Sequence, residues 1–329
     1  MTSRAIIALA LGACLGAGAP AVHAAQPDAG ADWPTRKAIT MIVPFAAGGS
    51  TDVTARLLAE HLSRQLKQQV VVENRAGAGS NLGSSVAARA TPDGYTLLLA
   101  TSTIATNVTL YKNMGFDLRR DLIPVSQIAS IPNVLTVNNS VPAKSLTEFI
   151  ALVQKKDAPV NYGSAGNGSA SHLSGALFNA MAKGDMVHVA YKGGAPANVD
   201  LMGGQVQAVF SPLVEVLSYL ESGKLRALGV TTPARSPRLP DVPAVGEALP
   251  GFDVSLWNGV FVPAGTPPAV VDRLAQALKS VTQEPGFRKV LLDQGSAPTS
   301  QSPAQFKAFL DQEIDKWAKL VKLSGATVD

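Results

Sequence analysis

The residues best suited to chemistry in this sequence lie in loops that follow short apolar runs. In "VPFAAGGSTDVTARLLAEHL", residues 43 to 62, Val43-Pro44-Phe45 gives way to Ala46-Ala47-Gly48-Gly49-Ser50-Thr51 and then to helical spacing. Three further loops are built alike: Arg75 to Asn81, Gly163 to Ser171 and Tyr191 to Pro196. A glycine turn that opens a helix turns free backbone N–H groups outward, and the helix dipole adds positive potential. Such a loop holds an anion without a formal charge, whether phosphate or carboxylate. Tight turns alone explain any one of these loops. Four of them after strands point to a site, because ligands of open α/β sheets collect beyond the carboxyl ends of strands.

Machinery for bond-making is missing from the same stretches. "GAGSNLG", residues 77 to 83, has one residue too many for a dinucleotide fingerprint and follows the second strand of its unit, and no P-loop pattern occurs. A G-x-S-x-G elbow is absent. Ser169 and His172 stand at a helix start without an indicated acid partner, which leaves a secreted hydrolase as a weak alternative. His61 falls on an apolar helix face and His188 alternates within a strand, so both are expected to be packed. The scattered histidines lack metal-ligand spacing, and neither metal nor cofactor is expected. Asp52 falls in the first turn after Gly48-Gly49, where it favours the helix's positive end and is placed to orient loop amides or meet a ligand amine. Lys192 reads as a loop lysine that attracts anions if it stands at a cleft mouth.

The N-terminus bears on compartment. Arg4, an apolar run from Ala5 and the small-residue ending Val22-His23-Ala24 read as a secretory signal cut after Ala24. Leu11-Gly12-Ala13-Cys14 offers the alternative of a lipoprotein box, with Cys14 lipidated. Cleavage after Ala24 removes the single cysteine, and with it any thiol chemistry. A periplasmic protein is expected. The 28 basic and 24 acidic residues give a formal net charge of +4, too little for a nucleic-acid surface, and there is no basic run. Five per cent aromatic content argues against base-stacking platforms.

The elements that must position these loops alternate between strand and helix. Ile39 to Pro44, Val70 to Glu73 and Tyr95 to Ala100 read as strands, with Val53, Leu57, Leu58, His61, Leu62 and Leu66 on one helical face between the first two. The pattern restarts with strands at Val134 to Val137, Val160 to Tyr162, Val187 to Ala190, Val206 to Phe210 and Leu225 to Thr231, and Ser145 opens a helix. Pro233 to Pro250 reads as a connection without a clear element. A strand at Leu256 to Val262, a proline-led helix in "GTPPAVVDRLAQALKSV" and an amphipathic helix from Ala304 to Leu323 complete the chain. Alternation of this kind implies α/β layers with a largely parallel sheet, and the length favours two lobes.

Five ordered segments carry a resemblance. "KAITMIVPFAAGGSTDVTAR", "VVVENRAGAGSNLGSSVAARATPDGYTLLLA", "NYGSAGNGSASHLSGALF", "VHVAYKGGAPANVDLMGGQVQAVF" and "PAGTPPAVVDRL" resemble the Bug family, the periplasmic receptors of tripartite tricarboxylate transporters. The likeness runs from about Lys37 to the C-terminus. The family often has proline at Ala46 and Ala76, glycine at Ser80 and an acidic residue at Ala176, so this chain departs from it slightly. The resemblance implies a two-lobed Venus-flytrap fold of the type II kind, each lobe a mostly parallel sheet flanked by helices. It implies a monomer that binds a small mono- or dicarboxylate, acts without catalysis and serves transporter membrane subunits. A ligand-presenting sensor of the same fold is the alternative role.

The expected boundaries are a signal at 1–24, a leader at 25–36, lobe one at 37–133 and 255–329, and lobe two at 134–254. Expected ligand contacts in the first lobe are Phe45, Ala47, Gly48, Gly49, Ser50, Thr51, Asp52, Gly79, Asn81, Thr101 and Ser102. Those facing them from the second are Ser164, Gly166, Gly168, Ser169, His172 and Tyr191. The family binds carboxylates chiefly through amides, hydroxyls and water, so Arg75 and Lys192 are expected to contribute modestly.

Overall fold

A computed structural model describes residues 32–155, 160–191 and 193–328. The signal-like segment, Cys14 and Lys192 lie outside the described residues. The first elements are β1 (Ile39–Val43), α1 (Ser50–Leu66), β2 (Val70–Asn74), α2 (Asn81–Ala88), β3 (Thr96–Thr101), α3 (Thr103–Leu110), α4 (Leu118–Asp121) and β4 (Leu122–Asn138). Next come α5 (Leu146–Val153), β5 (Asn161–Ser164), α6 (Ala170–Ala182), β6 (Val187–Ala190), α7 (Gly194–Met202), β7 (Ala208–Pro212), α8 (Leu213–Glu221), β8 (Leu225–Val230) and α9 (Val245–Ala248). The chain ends with β9 (Ser255–Pro263), α10 (Pro268–Gln283), α11 (Pro285–Asp293), β10 (Ala297–Pro298) and α12 (Pro303–Ser324).

β1 is buried along nearly its whole length, which is why "ITMIV" is apolar without alternation. It lies between β2 and β3, all three parallel. β9 then pairs antiparallel with β3, and β4 antiparallel with β9. β4 does not stop there. Its residues 122–132 pair with β9, while Asn133 to Asn138 pair with β7 and β8, from which parallel β5 and β6 extend the second half. One strand thus belongs to two sheets, and the return crossing runs beside it: Thr231 and Asn133 exchange bonds, and the Val254 N–H donates to Thr231.

Sequence pattern accounts for the buried strands and for α1, α5, α10 and α12, and leaves α3, α4, α7, α8, α11, β10 and the first part of β4 unread. The strand over Val134 to Val137 proves to be the end of β4, whose earlier part carries Pro124, Ser126, Gln127, Ser130 and Pro132 and so lacks an apolar signature. Register shifts between Pro124 and Ser126 and between Gln127 and Ala129 absorb these residues against β9. The Pro233 to Pro250 connection holds only the short α9. α10 starts with proline at its first position, and α12 has a capping box of Ser302 and Gln305.

α12 ties the two halves together. It packs on α3, β4 and α6, and its Glu313 Oε2 accepts from the indole N–H of both Trp257 in β9 and Trp317, each at 2.8 Å. Both indoles are buried, and two donors on one carboxylate oxygen fix the helix against the strand. The opposite face of the first sheet is covered by α1 and α10 over a core that includes Met41, Leu58, Leu97 and Leu274.

Candidate functional site

The loop from Pro44 to Gly49 leaves the carboxyl end of β1 and enters α1 behind Gly49, with no side chain capping the helix. Asp52 supplies its order. The Gly48 N–H donates to Asp52 Oδ2 at 2.9 Å, Asn74 Nδ2 donates to Oδ1 at 2.9 Å, and Arg56 Nε donates to Oδ2 at 3.0 Å. Asn74 also donates to the Phe45 carbonyl at 3.1 Å, so β2 and α1 hold the loop from both ends. Burial pushes the Asp52 carboxyl up, but Arg56, the Gly48 amide and Asn74 outweigh it and leave the group below the usual carboxylate range. Asp52 therefore orients the loop, and the Gly48 amide is spent on it. Gly48 has φ of +86°, a conformation that favours glycine. Ala47 is exposed, Thr51 is buried, and Ser50 begins the helix.

The second loop, Arg75 to Ser80, is fastened by α3. Asn107 Nδ2 donates to the Gly79 carbonyl at 2.7 Å and to Asn81 Oδ1 at 2.8 Å. Asn81 Nδ2 and Ser102 Oγ are buried without a protein partner, and Thr101 Oγ bonds Thr103 Oγ at 3.1 Å. Register sets Asn258 of β9 beside Thr101, and both polar atoms of its buried amide also lack a protein partner. Buried polar groups without a partner are costly, so they mark where water or ligand belongs. Arg75 turns away and pairs with Glu73.

Facing these, the loop from β5 to α6 is held mostly by its own groups. Ser169 caps α6 by accepting from the His172 N–H at 3.3 Å and donates to the Gly166 carbonyl at 2.6 Å. The Gly168 N–H donates to His172 Nδ1 at 3.1 Å, which makes that nitrogen the bare one of a neutral ring. His172 stacks on His188 with centroids 3.9 Å apart, and burial, then His188, lowers its pKa to about 4. Ser164 Oγ pairs with His188 Nε2 at 2.6 Å, so His188 is bonded rather than simply packed. No bond joins Ser169 Oγ to a His172 ring nitrogen, so the two do not form a nucleophile–base pair. Tyr191 donates its hydroxyl to Asp200 at 2.7 Å. His61, in α1 about three turns past the Ser50 end, is buried and pairs with Glu284.

The two sets of loops meet at named points. Gly168 lies so close to Leu110 at the end of α3 that a Cβ there would overlap the leucine methyl; within the first half, Gly79 stands close to the Tyr111 hydroxyl. On the other side, the Ser50 amide faces Glu215 of α8. Asn107, Leu110, Tyr111, Glu215 and Asn258 escaped sequence reading. Only "TSTIATN", directly after a strand, held a signal that could have found Asn107.

The model of the tripartite tricarboxylate transporter family receptor matches residues 54–326. Protein BugT of Bordetella pertussis is 37% identical over 92% of this chain and 93% of its own length. Among solved structures, R. palustris Rpa4515 with adipate has a TM-score of 0.84 at 36% identity, covering 90% of this chain and 99% of that one. The periplasmic binding protein BugD has a TM-score of 0.80 at 35% identity, covering 89% and 99%. With the family model, the sequence relatives and the shared fold in agreement, this chain belongs to the tripartite tricarboxylate transporter receptors, the Bug-type periplasmic solute-binding proteins.

Proposed function

We propose that the protein is an exported, monomeric receptor that captures a small organic carboxylate and delivers it to the membrane subunits of a tripartite tricarboxylate transporter, without catalysis. The signal is cut after Ala24 and the mature protein is periplasmic, which N-terminal sequencing of exported protein reads directly. Lobe one comprises 37–133 and 255–329, lobe two 134–254. The observation that carries this reading is that two glycine-led helix starts, α1 from the first half and α7 from the second, approach one side chain, Glu215 of α8. Adipate in Rpa4515 supports a carboxylate ligand.

The ligand carboxylate lies against the Gly49 and Thr51 amides, the Ser50 and Thr51 hydroxyls and the loop before Asn81, with Ser164, Gly166, Gly168 and Ser169 closing from the second lobe. Hydrogen bonds to a charged group contribute about 1.5–3 kcal/mol each. Four at the top of that range total about 12 kcal/mol, and less an association cost of about 4 kcal/mol they support micromolar binding, about −8 kcal/mol. The test is a thermal-shift screen of organic acids followed by solution scattering. A ligand at 100 times its dissociation constant adds about 2.7 kcal/mol, and closure about the strand crossing lowers the radius of gyration. Failure of every small carboxylate to shift the transition rejects the function; a shift without compaction rejects the hinge alone.

A further inference from the structure

Glu215 occupies an unusual position. It stands in the first turn of α8, where an acidic side chain ordinarily reaches back to its own helix end and to solvent. Here the carboxyl crosses to two other helices. It lies over Gly194, the first residue of α7, so closely that a Cβ at 194 would overlap Oε2. The Ser50 amide at the start of α1 is directed at the same carboxyl. Both helices begin behind glycines, Gly49 and Gly193, and neither has a side-chain cap. Glu215 Oε2 is inaccessible to solvent and has no hydrogen-bond partner, and no cation among the described residues pairs with the group. Burial pushes its pKa up, and the Ser50 amide offsets only part of that rise.

An acidic group at the mouth of an anion cradle presents a problem of charge. A ligand carboxylate entering beside it meets like charge at short range in a poorly solvated cleft. A ligand that carries its own cation next to its carboxylate removes the conflict, because the ammonium bridges the two acids and supplies the donor that Oε2 lacks. We propose that Glu215 selects the ligand by accepting an ammonium group, so that the protein takes a small amino-carboxylate rather than a plain mono- or dicarboxylate. This rests on the carboxylate-receptor reading above.

The test measures affinity by calorimetry for acid pairs that differ only in the amino group: L-aspartate with succinate, L-glutamate with glutarate, and L-alanine with propionate. The wild-type protein and Glu215→Gln are compared, each checked for folding by circular dichroism. The expected result is that an amino acid binds the wild type while its partner does so at least about 30-fold more weakly, the low end of what loss of a buried charge pair costs. Glu215→Gln then loses at least about 30-fold for the amino acid and discriminates little within the pair. Binding of succinate, glutarate or propionate as tight as that of the amino partner, with Glu215→Gln unchanged, overturns the selection and leaves the carboxylate receptor standing. Binding of 1,4-diaminobutane by wild type but not by Glu215→Gln, with no acid of either kind bound, supports Glu215 as a cation acceptor and rejects the carboxylate cradle. An amino acid that binds wild type and Glu215→Gln alike also overturns the assignment, because its ammonium is then held elsewhere.

Discussion

Replacing Asp52 with alanine should loosen the first loop and cost stability by an amount the contacts allow one to work out. Asp52 is 3 % exposed and accepts from the Gly48 N–H, Asn74 and Arg56. Bonds from Gly48 and Asn74 to an ionised carboxylate contribute about 1.5 kcal/mol each at the low end of their range. The Arg56 side chain is 56% exposed, so its pair adds less than about 1 kcal/mol. Asp52→Ala should therefore lower the unfolding free energy by about 3–4 kcal/mol. Asp52→Asn, which keeps the Gly48 and Arg56 bonds on one oxygen but turns an amide donor toward Asn74, should lower it by about 1–2 kcal/mol.

Because the folded pKa of Asp52 is depressed, its contribution is complete above the unfolded value near 3.8 and fades as pH falls through the folded value below it. Urea unfolding at pH 7 and pH 3 measures both effects, and the deficit of Asp52→Ala should shrink at the lower pH. Affinity for a carboxylate ligand should fall with the loop's order, since Gly48 to Thr51 would no longer be held in place. An Asp52→Ala protein whose urea midpoint and affinity match the wild type would refute the claim that this carboxylate organises the loop.

Two further outcomes follow from the geometry. Gly168 has φ of +73° and stands against Leu110, so Gly168→Ala should destabilise the closed form by about 1–2 kcal/mol and weaken ligand binding, with Leu110→Ala in the same protein restoring part of the affinity in a double-mutant cycle. His172 titrates near 4 when folded against 6.5 unfolded, so the folded state binds fewer protons between these values and stability declines as pH drops from about 6.5 towards 4. The loss reaches up to about 3 kcal/mol, and a His172→Gln variant should show a flatter pH profile by urea unfolding.

The glycine loops were legible because each follows an apolar run that must be a buried strand, and glycine beyond such a run has few other uses. Asp52 was legible as a group that orients amides, though not as one that consumes the Gly48 amide, since a carboxylate at a helix start serves either purpose. Glu215 could not be singled out: acidic residues in first turns are ordinary, and only the crossing to α1 and α7 gives this one a different role. Asn107 and Asn258 look like stray polar residues in apolar segments until the fold sets them beneath the loops. The early part of β4 was hidden because its strand geometry is imposed by β9, a partner remote in sequence.

β9 also fixes the order in which the molecule can be finished. It fills the gap between β3 and β4, yet it is synthesised only after all of β5 to β8. Until then β3 presents an open edge, and the parallel ribbon β2-β1-β3 lacks its neighbour as well as the α10 face that covers it. Such a distant pairing makes folding slow, because the loop must close before the contact rewards it. The emerging chain thus stays incomplete until its last segments arrive, and depends until then on protection from aggregation.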